Sequence, residues 1–240
     1  MSLLSSSRVM DLTHIITEDM PTWDEGIGFT QEQTHFLDVH GYSIHQLNFK
    51  KAGLGTHFDS AAHFFDGKRW VRTVHEYPVA ELISPAVVIN VSQQTERNKD
   101  YQITQQDIIN WEKVHGSIQS GSFVIANTGW SKYWNDPVKF LGFDENKIRH
   151  FPGWGEESAQ YLLDKGVRGL GIDAVSIDAG NNINFDAHRV FLKADKYLVE
   201  NINIGTETNN TLPDIGATVF VLPIPIKNCS EAPARVIAYV

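Results

Sequence analysis

Five short runs rich in β-branched residues constrain this chain more than any other feature: AVVINV (86–91), SFVIAN (122–127), RGLGID (168–173), TVFVLPI (218–224) and RVIAYV (235–240). Each reads as a buried strand. Only two helices are readable between them. TQQDIINWEKVHG (104–116) opens with Thr104 as N-cap and Asp107 three residues on, places Ile108, Trp111 and Val114 at helical spacing, and closes at Gly116. EESAQYLLDKG (156–166) carries acids in its first turn, where the helix dipole favours them. It stacks Ala159, Leu162 and Leu163 on one face and ends at Gly166. Strands outnumber helices, so the pattern predicts a strand-rich α/β fold with a site at the rim of its sheet. No repeat, low-complexity tract or long linker divides the chain, and residues 1–240 are expected to form one domain.

Charge and cysteine content narrow the function. The net charge is −9 and no Lys/Arg cluster exceeds Lys50-Lys51, which argues against nucleic acid or an anionic membrane as a partner. Cys229 is the only cysteine, so no intrachain disulfide forms and a reducing compartment is expected. MSLLSSSRVMDLTHII lacks the basic and then apolar character of a secretion signal. VFVLPIPI (219–226) is short and broken by prolines, whereas a membrane helix needs about 20 apolar residues. A soluble, cytoplasmic protein is the expectation.

The chemistry concentrates in GLGTHFDSAAHFFDG (53–67), which sets two histidines and two aspartates among small and aromatic residues. If residues 51–59 are extended, Gly53, Gly55, His57 and Asp59 share a face, and the glycines leave room above the histidine and aspartate. His63 returns to that side if the chain turns helical at DSAAH. Nitrogen and carboxylate donors together suit zinc, manganese or iron(II). A hydrogen-bonded polar cluster without metal is the alternative. A second constellation, NNINFDAHRVFLKADKYLVENIN (181–203), offers His188 and Glu200. Catalytic metal sites commonly draw ligands from separate elements and leave a position for water.

GTHFDSAAHFFDG resembles the signature of the cyclase family of metal-dependent hydrolases, which includes bacterial kynurenine formamidase and isatin hydrolase. DLTHIITEDMPTW (11–23), NTGWSKYW (127–134), FPGWGEESAQYLLDKGVRGLGIDAVSID (151–178) and HRVFLKADKYLVENI (188–202) resemble its other blocks, in order. The resemblance implies an α/β fold of the swivelling β/β/α kind and a homodimer or homotetramer. It implies His57, Asp59, His188 and Glu200 as ligands of one or two Zn or Mn ions, with Asp59 able to bridge. It makes His63 the acid/base and Trp23 the aromatic that stacks on a small-molecule substrate. The implied reaction is hydrolysis of an amide-type C–N bond in a formamide, lactam or carbamate.

Two departures from the signature bear on this. Its first histidine, a metal ligand, falls on Gly53, and its proline falls on Ala61. With Gly53 on an open face, one ion is expected where binuclear relatives hold two, and Gly53→His is expected to raise metal content. Lys51 and His45 share the parity of that face, Lys51 as a substitute charge and His45 as the first replacement ligand to consider. Three classes stay open: an amide hydrolase, a mononuclear relative or polyketide-type cyclase, and a catalytically silent binding protein. The remaining signals read as structural. Trp130, Tyr133 and Trp134 read as core. Asp173, Ser176 and Asp178 read as turn-satisfying side chains with no histidine beside them. His14, His75, His115 and His150 lack companions at ligand spacing, and Cys229 has no partner signal.

Overall fold

All five apolar runs are strands, and they belong to one closed sheet. The computed structural model describes residues 8–24, 26–68, 70–204 and 212–240. The first seven residues, part of the segment read against a secretion signal, lie outside the described residues, as does Glu25 in the loop after Trp23. The strands are β1 (Val9–Asp11), β2 (Phe29–His35), β3 (Ile44–Phe49), β4 (His57–Asp59), β5 (Ile83–Asn90), β6 (Gln102–Ile103), β7 (Phe123–Asn127), β8 (Gly153–Trp154), β9 (Gly169–Ile172), β10 (Tyr197–Glu200), β11 (Thr218–Pro223) and β12 (Glu231–Tyr239). The helices are α1 (Leu37–His40), α2 (Ala62–Phe65), α3 (Ser92–Arg97), α4 (Gln105–His115), α5 (Pro137–Leu141), α6 (Glu156–Asp164) and α7 (Asp186–Lys193). The two helices read from the sequence are α4 and α6. Thr104 and Asp107 form a reciprocal capping box, and Gly116 and Gly166 take the positive φ that ends each helix.

Strands pair in the order β12–β11–β5–β7–β9–β10–β4, and β4 returns to β12, closing a seven-stranded barrel; β1 lies along the far end of β12. β5, β7, β9 and β10 run parallel. Parallel strands are covered on both faces, which is why these segments read as nearly continuous apolar runs. Alternation along them separates two cores. Val88, Ile125, Tyr197 and Val199 meet Phe58, Val219 and Val236 inside the barrel. Ile89, Val124, Leu170 and Leu198 face outward, where Ile108, Leu162 and Phe191 of α4, α6 and α7 cover them. Trp130 and Trp134 are buried in this outer core, as the sequence suggests.

The expectation of an extended 51–59 segment is corrected. β4 covers only His57–Asp59, and Gly55 at φ +58° turns the chain into it. β2 and β3 form a separate hairpin, paired only with each other among the described residues, and every β3 residue is exposed. Among the described residues no helix is long and apolar enough to cross a membrane.

His14 carries an electrostatic constraint. It is buried, stacks on Trp134 at 4.0 Å between ring centroids, and its Nε2 has no hydrogen-bond partner among the described residues. Burial disfavours the charged imidazole and lowers its pKa from 6.5 to about 4. A histidine with a depressed folded-state pKa is protonated first in the unfolded chain, so its contribution to stability is lost as pH falls below 6.5. Relative to His14→Phe, the wild type should lose about 2 kcal/mol of unfolding free energy between pH 7 and pH 5. Denaturant unfolding of both proteins across that range measures this; parallel pH dependences would refute it.

Candidate metal centre and its cavity

Strand register assembles the site. β4 lies between β10 and β12. Across the first boundary Glu200 directly opposes His57, and across the second Glu231 directly opposes Asp59. Directly opposed residues point to the same side of an antiparallel pair, with Cβ atoms about 5 Å apart. Phe58 points into the barrel, where it stacks on Tyr197. His57 and Asp59 therefore point out, towards α2 and α7, together with Glu200 and Glu231.

α7 supplies His188. Asp178 accepts from the backbone N–H groups of Ala187 (2.8 Å) and His188 (3.1 Å), capping a helix whose own N-cap residue, Phe185, makes no side-chain cap. The same carboxylate lies 2.6 Å from His188 Nδ1 and turns Nε2 towards the barrel. Reading Asp178 as having no histidine beside it is thereby corrected. Asp173 does act as a turn carboxylate, accepting from Thr128 and Trp130 N–H groups. His57 is oriented in the same way as His188: its Nδ1 donates to the Gly55 carbonyl at 2.9 Å, freeing Nε2. Glu200 Oε1 accepts from Ile177 N–H at 2.8 Å.

The gap between these groups is the size of an ion. His57 Nε2 lies 3.5 Å from Asp59 Oδ1 and 3.3 Å from Glu200 Oε2. His188 Nε2 lies 3.1 Å from Glu200 Oε1 and 3.8 Å from Asp59 Oδ2. Ligands at 2.0–2.2 Å from a tetrahedral divalent ion stand about 3.3–3.6 Å apart. Asp59 is 1% exposed, yet neither of its carboxylate oxygens has a hydrogen-bond partner among the described residues. A buried carboxylate left so costs several kcal/mol unless a cation meets it, on the order of what transfer energies give. The donor set therefore fits a divalent metal. Two triads have ligand atoms within 4.8 Å of one another: Asp59, His63 and His188, and His57, Asp59 and Glu231.

Electrostatics agree with the geometry. Burial opposes protonation of His57, but Asp59, Glu200 and Glu231 outweigh it and raise its pKa to about 10. His188 is likewise pushed well above its ordinary value against burial, by Asp178, Asp59 and Glu200. Glu200 is held below the usual carboxylate range, because the two imidazoles overcome the effect of burial. The pocket strongly prefers positive charge.

The six candidate site residues read from the sequence, Trp23, His57, Asp59, His63, His188 and Glu200, come together here. His57, His188 and Glu200 form the floor of a cavity of about 630 Å³ that Trp23, His63, Phe64 and Phe185 also line. Asp59 lies beneath them, in contact with both imidazoles. His63, with 31% of its side chain open to solvent, places Nδ1 3.2 Å from Glu231 Oε2. Trp23 is 40% exposed, with the Arg149 guanidinium 3.7 Å over its ring.

Two expectations about Gly53 are corrected. The face above it is not open: a Cβ at this position would collide with Glu231 Oε1 and stand 3.0 Å from His57 Nε2. Of the two suggested substitutes, Lys51 lines the cavity beside Gly53 and His45 does not. Lys51 pairs with Asp24, and His45 sits opposite Gln33 on the exposed hairpin, away from the cavity. Sequence reading misses Glu231 and Asp178. Glu231 meets the motif only through barrel closure, and Asp178 meets His188 only through the α7 turn.

The family model described as "Putative cyclase" matches residues 10–179. Isatin hydrolase of Roseibium aggregatum is 31% identical over 192 residues, covering 78% of this chain and 71% of that protein. Kynurenine formamidase of Bacillus thuringiensis is 22% identical over 240 residues, covering 98% of each. The solved structure of isatin hydrolase A from Ralstonia solanacearum superposes with a TM-score of 0.88 at 28% identity, over 98% of this chain and 92% of that one. With the family model spanning well over half of its length, the chain belongs to the cyclase family.

Proposed function

We propose that this protein is a metal-dependent hydrolase that cleaves an amide-type C–N bond, in a formamide, lactam or carbamate, on a small substrate bearing an aromatic ring. One observation carries the reading: His57, Asp59, His188 and Glu200 converge at ligand-like spacing, with a buried carboxylate that accepts no hydrogen bond among the described residues, at the floor of an aromatic-walled cavity. A divalent zinc or manganese ion held there would polarise the substrate carbonyl and ease deprotonation of water. Asp178 and the Gly55 carbonyl hold Nδ1 of the two imidazoles, so that Nε2 of each is free to hold such an ion. Trp23, Phe64 and Phe185 supply apolar surface for the ring, and Ser176 a polar group in the wall. The amide-hydrolysing relatives support the class: the names of isatin hydrolase and kynurenine formamidase denote a lactam and a formamide as substrates.

His63 is the acid/base in this reading. Glu231 faces its Nδ1, which leaves Nε2 to take a proton from the attacking water and return it to the departing nitrogen. Burial lowers its pKa, but the facing carboxylates of Glu231 and Asp59 outweigh burial and raise it.

We further infer a homo-oligomer. A two-stranded ribbon is at best marginally stable alone, and here Leu37, Val39, Tyr42, Ile44, Leu47 and Phe49 are exposed on and beside it. A second copy of the chain covering that arm would bury them. A cytoplasmic setting and a small-molecule partner fit the lone Cys229 and the net charge of −9.

Three outcomes are expected. Turnover of isatin or an aryl formamide should be lost on chelation, return with Mn²⁺ or Zn²⁺, and fall below detection in Asp59→Asn. Chelator-insensitive turnover, or no turnover of any formamide, lactam or carbamate by metal-replete protein, would contradict the reading. His63→Ala should lower kcat about 10²–10⁴-fold with metal content intact; loss of the metal instead would make His63 a ligand. Light scattering should give a multiple of the 27.0 kDa chain mass, reduced by Leu47→Glu. A wild-type monomer would remove the oligomer inference.

A further inference from the structure

Glu231 has a position that neither the motif nor the proposed chemistry yet explains. β12 sets it opposite Asp59 as β10 sets Glu200 opposite His57, so the two glutamates flank β4 from either side. Its Oε1 occupies the space over Gly53 next to His57 Nε2, and its Oε2 lies 3.2 Å from His63 Nδ1. Gly53 does not adopt the left-handed backbone that would by itself demand glycine; a side chain there would have to displace the Glu231 carboxylate and would pass close to His57 Nε2. The two buried oxygens of Asp59 point different ways, Oδ1 towards His57 at 3.5 Å and Oδ2 towards His188 at 3.8 Å. Neither has a hydrogen-bond partner among the described residues.

We propose that Glu231 is a metal ligand: with His57 and Asp59 it forms a second cation position next to the one formed by Asp59, His188 and Glu200, and Asp59 bridges the two. The inference rests on the metal-dependent reading above and extends it to a residue outside the histidine motif. Charge bookkeeping favours it. With neutral imidazoles, the four carboxylates Asp59, Asp178, Glu200 and Glu231 balance two divalent cations, whereas one cation leaves two negative charges unmatched in a largely buried cluster. The second position has one imidazole and two carboxylates. An oxygen-rich set of this kind suits manganese better than a histidine-rich set does.

Mn²⁺ titration of chelator-stripped protein tests this, with free Mn²⁺ followed by its paramagnetic resonance signal. The wild type should take up two ions per chain, and its frozen-solution spectrum should show magnetic coupling between ions sharing a carboxylate. Glu231→Ala should bind one ion and lose the coupling, weakening the second position on the order of 100-fold, since outer-shell changes alone cost about 10–100-fold. The near-isosteric Glu231→Gln should weaken the same position with the fold retained by circular dichroism. Because Glu231 fills the space over Gly53, the double variant Gly53→His/Glu231→Ala should recover the second ion. A wild type that binds one ion, with the same affinity in both Glu231 variants, would overturn the inference and leave the metal-dependent reading standing. Two ions bound unchanged in Glu231→Ala would also overturn it. A wild type that binds no Mn²⁺ would overturn both.

Discussion

Everything in the site depends on the pairing of one three-residue strand, β4, with two neighbours at once. Antiparallel register allows only two outcomes for a residue, in or out, and a shift of one position would exchange them. Phe58 is held inside the barrel by stacking on Tyr197 and edge contact with Tyr77. That anchoring forces His57 and Asp59 outward, and the register on either side adds Glu200 and Glu231 to the same face. Barrel closure is thus also site assembly. The strand that brings the sheet back on itself is the strand that carries the motif.

Concentrating buried carboxylates on one face is unfavourable without compensating charge. The fold provides part of the compensation locally: Ile177 N–H serves Glu200, and the N-terminus of α7 serves Asp178. Asp59 accepts no hydrogen bond among the described residues and has only the imidazoles of His57 and His188 beside it, at 3.5 and 3.8 Å. Asp178 both caps α7 and orients His188, so at that ligand, direction and backbone capping are one set of hydrogen bonds. Asn201 adds to this by donating from Nδ2 to the Gly55 carbonyl, while Thr56 Oγ1 donates to the Asn201 carbonyl; together they tie the Gly53–Thr56 turn to the end of β10.

The sequence makes the barrel's long strands legible because parallel strands buried on both faces must be apolar throughout. α4 and α6 are legible because their caps are local. β4 is too short to announce itself, and Gly55 breaks the extended run that parity reasoning assumes. α7 is invisible because its cap, Asp178, lies eight positions before its first residue, beyond the local spacing that marks a capped helix start. His57, Asp59, His63, His188 and Glu200 stand out as titratable groups in apolar or glycine-rich surroundings, and resemblance to the family orders them. Glu231 has no such signal. A glutamate ahead of an apolar strand looks solvated, and only the β4–β12 register reveals what it faces. The vacancy inferred from Gly53 has the same origin: glycine in a sequence signals room, and only the fold shows that the room is taken.

These buried carboxylates and imidazoles call for a divalent cation to hold them together. Diffraction from Mn²⁺-grown crystals at the manganese absorption edge tests this most directly. An anomalous peak is expected about 2.0–2.2 Å from carboxylate oxygens of Asp59 and Glu200 and from His188 Nε2, as for ordinary divalent coordination. A difference map with no peak in the cavity, and imidazole–carboxylate contacts closing the gap instead, would contradict it.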